Sequence, residues 1–305
     1  MDLREAVVTS ACYHVDIGHH VFPTAKYPAV VEALVASGDL RDGRVIGPPP
    51  PTRELLERAH DPGYLDEFEA LRWTPRTQYS ELPLTREIVT SFETAASGTA
   101  EAVRRAFRWG AAVHVGGGLH HAFADKAEGF CYVNDLAVAA EAARVEGLAT
   151  RIAIVDLDVH QGNGTARIFQ GRSDVFTLSL HQEHNYPVPK QHSTLDVGLP
   201  DGTDDDAYAR ELAPALERVW AFAPDLVLYQ AGADPFHDDQ LGGLALTFEG
   251  LEARDRAVLE GCEARGIPVV STLGGGYAHA FEDTVRIHAT TARRTLDVVR
   301  RRGAR

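Results

Sequence analysis

The chain has 305 residues, 44% hydrophobic and 24% charged, an ordinary globular balance; its length alone would permit two domains, although α/β folds of this size often form one. Thirty basic against 44 acidic residues give a net charge of −14, which argues against a nucleic-acid phosphate binder and suits cationic substrates or simple solubility. Three widely spaced cysteines (Cys12, Cys131 and Cys262), no apolar run near the ~20 residues of a membrane helix, and an N-terminus without a basic-then-apolar leader point to a reducing, cytoplasmic protein with no disulfide framework, no membrane span and no signal peptide.

In chain order, an apolar β-rich run at 6–11 precedes a helical pattern over 28–37. The prolines at 48–51 read as a surface loop, and Thr52 as the N-cap of a short helix reaching towards His60. The 72–84 segment reads as a second surface loop. A helix over 85–109 then leads to a strand at 111–115, a helix over 133–147 to a strand at 151–157, and a further strand follows at 174–180. The acidic run Asp201–Asp206 opens a helix over 205–222, where carboxylates favour the N-terminal dipole. A strand at 225–230, a helix over 248–265, a strand at 268–273 and a helix over 278–300 complete the series, the last ending in an exposed basic run. This alternation predicts a single α/β domain over residues 1–305. Its central, mostly parallel sheet is covered by helices on both faces, in three α/β/α layers.

The segment Arg151-Ile-Ala-Ile-Val-Asp-Leu-Asp-Val-His-Gln-Gly-Asn-Gly164 carries the most chemistry. Strand alternation would put Asp156, Asp158 and His160 on one face and Val155, Leu157 and Val159 on the other. Gly162 and Gly164 would then turn the chain sharply away. Three other glycine-associated clusters also follow predicted strands: Gly116-Gly-Gly-Leu-His120-His121, Ala231-Gly-Ala-Asp234 and Gly274-Gly-Gly-Tyr277. In an open parallel sheet all strand C-termini lie along one edge, so the four clusters should converge. Asp158, His160 and Asp234 offer two carboxylates and one imidazole, a divalent-metal set that leaves a position open. His120 and His121 suit proton transfer beside it, with Asp156 and Asn163 as the acceptors that orient them. Tyr277, on a flexible triple-glycine turn, could bring a phenol to an oxyanion without adding charge.

Gly117-Gly-Leu-His-His, Gly129-Phe-Cys-Tyr-Val-Asn-Asp135, Asp156-Leu-Asp-Val-His160, Gly232-Ala-Asp234 and Gly274-Gly-Gly-Tyr277 together resemble the histone deacetylase family, within the arginase/deacetylase fold. Gln161-Gly-Asn-Gly164 and Gln240-Leu-Gly-Gly-Leu244 are most similar to its class IV branch and bacterial relatives. The resemblance implies zinc at Asp158, His160 and Asp234, although iron(II) suits the same ligands. It makes His121 the general base and acid, pairs His120 with Asp156, and has Tyr277 polarise the scissile carbonyl. It assigns an acyl-lysine tunnel to Gly129, Phe130, Tyr186 and Leu241. A structural K+ or Na+ would sit on Asp156 with backbone around Asp158, His160, Ser179 and Leu180. Asn163 departs from the commoner pattern, in which an aspartate pairs with the second histidine. An amide accepts the imidazole hydrogen bond but cannot stabilise imidazolium by charge.

The implied substrate is an acyl-lysine peptide or a small acylated amine such as an acetylpolyamine. A non-catalytic module for acylated ligands is the alternative from another class, and intact His120, His121 and Tyr277 argue against it. Two metals, as in a ureohydrolase, would need further carboxylates, with Asn163 standing where one would be wanted. His14, His19, His20, His114, His181, His184, His192, His237 and His279 read as structural, rim or surface residues, and His60 and His288 as helix residues. Oligomeric state is not encoded in these patterns.

Overall fold

The computed structural model describes residues 2–303; Met1 and the last two residues of the basic C-terminal run lie outside them. Seven strands form one sheet: β1 (Val7–Val8), β2 (Ala111–His114), β3 (Ile152–Asp156), β4 (Val175–Gln182), β5 (Leu195–Leu199), β6 (Leu226–Gln230) and β7 (Val269–Thr272). Their order is β1-β2-β7-β6-β3-β4-β5 and every pairing is parallel. Every residue of β2, β3, β6 and β7 is buried, as expected for parallel strands covered on both faces. The apolar runs located six strands. β5 was missed because its residues are alternately half-buried and exposed along most of the edge strand, so Leu-Asp-Val-Gly-Leu has no continuous apolar signal. β1 is shorter than the run at 6–11, because 3-10 turns at Leu3–Ala6 and Ala11–Tyr13 flank it.

The helices are α1 (Lys26–Ala36), α2 (Arg53–Glu57), α3 (Pro62–Glu69), α4 (Arg86–Trp109), α5 (Asp135–Val145), α6 (Asn163–Ile168), α7 (Asp205–Phe222), α8 (Phe248–Arg265) and α9 (Phe281–Gly303). Side-chain caps set many of the starts: Thr52 accepts from Leu55 N at 3.2 Å, Asn134 from Ala137 N at 2.9 Å and Asp204 from Ala207 N at 2.9 Å. The acidic run therefore opens α7 as expected. Three readings need correction. α2 stops at Glu57, so His60 lies in the bend after it, where its Nε2 accepts from Asn134 N at 2.9 Å. α3 and α6 were not anticipated, although Asp61 followed by Pro62 is a cap-and-first-turn signal. The 72–84 segment is only partly a surface loop: it holds a 3-10 turn at Gln78–Ser80 and buries Thr77, Ser80 and Leu82.

α4 packs on α5 and β2, while α7, α8, α9 and α1 pack in succession against one another, giving three layers around the sheet. The strand order makes β2, β7, β6 and β3 neighbours. These are the four strands whose C-terminal ends lead into the glycine-associated clusters. From α8, the fully buried Arg254 pairs with Asp255 at 2.8 Å and donates to the carbonyls of Gly232 (2.6 Å) and Leu157 (3.3 Å). One guanidinium thus ties together the segments that follow β6 and β3.

Candidate active site

β3 ends at Asp156, so strand alternation does not carry Asp158 and His160 to the rim. A loop knitted by carboxylates places them. Asp156 Oδ1 accepts from Asp158 N (3.2 Å), Asp158 Oδ1 from His160 N (3.1 Å) and Asp234 Oδ1 from Val159 N (2.9 Å). The glycines after it also act otherwise than expected. Gly162 and Gly164 have no positive φ; a Cβ on Gly162 would strike the Asp156 carboxylate, and one on Gly164 the Ala122 carbonyl. They permit close approach and do not form a turn.

Asp158, His160 and Asp234 are buried, and one ligand-type atom from each lies within 4.8 Å of the others. His160 Nδ1 sits 3.3 Å from Asp158 Oδ1 and 3.2 Å from Asp234 Oδ2. Asp234 Oδ2 is buried and has no hydrogen-bond partner. Burial disfavours charge on His160, yet the two carboxylates outweigh it and push the imidazole up to about 10. Two buried carboxylates with one open oxygen demand positive charge, and the donor set fits a divalent cation.

The histidine pair stands beside this cluster. Asp135 fixes the segment that carries it, accepting from Leu119 N at 2.7 Å and Gly118 N at 3.1 Å. His120 Nδ1 lies 2.7 Å from Asp156 Oδ2, and His121 Nδ1 lies 2.7 Å from Asn163 Oδ1. The two Nε2 atoms face each other at 3.1 Å. Burial holds His121 well below the usual imidazole range, and the neighbouring imidazoles act in the same direction. For His120 burial is outweighed by Asp156 and Asp158, which push it up to about 9. A neutral imidazole beside a cationic one can take and pass a proton.

Tyr277 completes the floor. Its triple-glycine turn is tightly held, contrary to the expectation of flexibility: Gly275 N donates to Asp158 Oδ2 (2.9 Å) and Lys26 Nζ to the Gly274 carbonyl (2.5 Å). The Tyr277 ring packs edge-on to Phe130, 6.1 Å between centroids. Above lies a cleft of about 210 Å³ lined by Gly129, Phe130, Tyr186 and Leu241 together with His121, His160 and Tyr277. Gly129 (φ 51) and Phe130 (φ 63) are the centre of a tight turn closed by paired backbone bonds between Glu128 and Cys131. A positive φ on a phenylalanine is uncommon and marks a position held for its direction. The Tyr186 ring stands edge-on to His121 (5.0 Å) and His160 (6.2 Å).

Residues 20–292 match the histone deacetylase domain. The chain belongs to the histone deacetylase family. An uncharacterized protein of Picosynechococcus sp. is 44% identical over 281 residues, 92% of this chain and 94% of that one. Histone deacetylase 2 of Arabidopsis thaliana is 29% identical over 269 residues, covering 85% of this chain and 70% of its own. The crystal structure of the HDA15 HD domain superposes with a TM-score of 0.77 at 25% identity, over 96% of this chain and 90% of that one. The fold is therefore that of the arginase/deacetylase group, as the motifs implied.

Within this deacetylase-family site, several residues had escaped sequence reasoning. Glu81 (φ 63) and Asn185 also line the cleft, and Asn185 Nδ2 donates to the Leu241 carbonyl at 2.8 Å. Gln230, at the end of β6, donates to the Gly118 carbonyl at 2.9 Å and accepts from Thr272 Oγ1 at 2.8 Å, joining three strand ends. Lys26 is fully buried, and burial brings its ammonium down to about 8 against the pull of Asp234 and Asp158. His20 reaches the rim, its ring 4.9 Å from that of Phe130, whereas His19 is exposed without a ring contact there. His114 is structural, bonded to Tyr13 Oη (2.9 Å) and Thr99 Oγ1 (2.8 Å). Ser179 pairs in register with Asp156, and Leu180 follows it in β4, beneath the cluster. Among the described residues no helix is long and apolar enough to cross a membrane.

Proposed function

We propose that this protein removes acetyl or longer acyl groups from lysine side chains by hydrolysing the amide with zinc held by Asp158, His160 and Asp234. The observation that carries this is the clustering of those three donors with the His120–His121 pair, next to a cleft whose lining includes His121, His160 and Tyr277. When bound, zinc supplies a Lewis acid for the acyl carbonyl and lowers the pKa of water. His121 starts neutral and takes a proton from the attacking water at Nε2, then delivers one to the leaving amine. His120, charged through Asp156, holds that water by hydrogen bonding. The Tyr277 phenol donates to the acyl carbonyl oxygen as negative charge develops on it. Gly129, Phe130, Tyr186 and Leu241 enclose the acyl-bearing chain. Asp156, with backbone around Asp158, His160, Ser179 and Leu180, is suited to a structural K+ or Na+. Membership of the class IV branch belongs to the same reading.

A small acylated amine is the second reading, favoured by the exposed Glu81 at the cleft, where a carboxylate can receive a distal ammonium. One assay separates the two. Purified, zinc-quantified protein is offered lysine peptides with acetyl through long-chain acyl groups, and acetylpolyamines in parallel. Preferred turnover of the peptides supports the first reading and preferred turnover of the polyamines the second. No turnover of either by the zinc-loaded protein refutes both.

A further inference from the structure

Asn163 accepts from His121, but nothing in an asparagine decides which end of its amide faces the imidazole. The partner behind it decides. Asn163 Nδ2 donates to Glu128 Oε1 at 2.6 Å, while Oδ1 lies 2.7 Å from His121 Nδ1. A carboxylate only accepts, so a flipped amide would set Oδ1 against Oε1, acceptor against acceptor. Its other oxygen, Oε2, receives the Lys126 ammonium at 2.5 Å. The side chain of Glu128 is 17% exposed, and its backbone is locked by the paired bonds to Cys131 in the turn that presents Gly129 and Phe130.

The polarity then runs through the site. With Oδ1 held towards it, His121 carries its hydrogen on Nδ1 and keeps a lone pair on Nε2. At the far end Asp156 Oδ2, also an acceptor, lies 2.7 Å from His120 Nδ1, and His120 Nε2 faces the His121 lone pair at 3.1 Å. A flip at Asn163 would reverse His121 and turn an N–H of its Nε2 towards His120. The amide alone was expected to offer orientation without charge. Here its own orientation is dictated by a carboxylate one residue further back.

We infer that Glu128 is a positioning residue which, through the Asn163 amide, fixes the His121 tautomer that keeps Nε2 unprotonated and able to take a proton. The inference rests on the reading of His121 as the base. Three variants of the zinc-loaded protein test it, with zinc content matched. Glu128→Gln offers Asn163 either a donor or an acceptor, so the amide is no longer forced. Its kcat on an acyl-lysine peptide should fall about 10- to 100-fold, the usual effect of losing a partner of this kind, with KM unchanged. In histidine-labelled protein, the Nδ1–H resonance of His121 should weaken in favour of the Nε2–H form. Asn163→Asp alone sets two carboxylates at the 2.6 Å separation and should also lose turnover. The swap, Glu128→Gln with Asn163→Asp, restores a donor behind and an acceptor in front, and should recover much of the lost kcat. A purely structural role for Glu128 predicts no such rescue. Wild-type kcat and an intact Nδ1–H signal in Glu128→Gln overturn the inference, as does a swap no faster than Glu128→Gln. If the wild-type protein hydrolyses no acylated amine, the proposed function fails, and the tautomer signal still decides the role of Glu128.

Discussion

Gly129→Ala is the sharpest single perturbation of the cleft. A Cβ built there lies 2.7 Å from His121 Cδ2, 2.8 Å from His121 Cγ and 3.0 Å from Tyr186 Cε1. Ordinary contact begins at 3.4 Å, so the imidazole or the turn must yield by about 0.7 Å. The neighbours cannot give freely. His121 is held at 2.7 Å by Asn163 and faces His120 at 3.1 Å, and the turn is closed by the Glu128–Cys131 bonds. Alanine at φ 51 adds a backbone cost of about 1–2 kcal/mol. Overpacking adds about 1–3 kcal/mol, so the folded state should lose roughly 2–5 kcal/mol. A catalytic group misplaced by close to 1 Å can cost ~100-fold, so kcat should fall by at least ~10-fold for this smaller shift. Urea unfolding and steady-state kinetics on an acyl-lysine peptide, with zinc content matched, read the two effects separately. An alanine variant with wild-type kcat would show that His121 tolerates displacement and that the packing argument is wrong.

Two further outcomes follow from the floor of the cleft. Tyr277→Phe should keep the fold and the zinc but lower kcat ~100- to 1000-fold, the effect of removing one oxyanion donor; unchanged turnover would reduce Tyr277 to a packing residue. Asp234→Asn removes the carboxylate whose buried Oδ2 has no hydrogen-bond partner, and should abolish stoichiometric zinc measured by atomic spectroscopy after dialysis. Full zinc retention there would mean that another residue completes the ligand set.

The fold was legible where burial is complete on both faces. β2, β3, β6 and β7 read as apolar runs because helices cover them on each side. β5 hid because it lies at the sheet edge and alternates in exposure. Asp158, His160, Asp234, the histidine pair and Tyr277 were found because each follows a strand and has glycines close by in sequence, and a parallel sheet gathers strand ends on one edge. How they are held was not legible. The alternation rule was carried past Asp156, where the ladder stops and carboxylate-to-backbone bonds take over. Lys26, Gln230, Arg254 and Glu128 act on partners far away in sequence, and the local pattern around each is that of an ordinary helix, strand end or loop. Glu81 carries no signal beyond its charge until the turn at Gln78–Ser80 aims it at the cleft.

The strand order also has a consequence in time. β2 pairs Val113 with Ser271, and β6 pairs Val227 with Val269, so β7, the last of these seven strands in sequence, joins two parts of the sheet that were made earlier. Gly275 then reaches Asp158, and Lys26 of α1 closes on Gly274. A polypeptide emerging from the ribosome cannot bring Asp234 beside His160 until β6 and the segment after it have been made. Long-range parallel pairing is slow, so the high-affinity donor geometry should be a late product of folding and not its nucleus. Zinc uptake by refolding protein, followed with a competing chromophoric chelator, should therefore trail the recovery of helical signal, making metal capture a certificate of completed assembly.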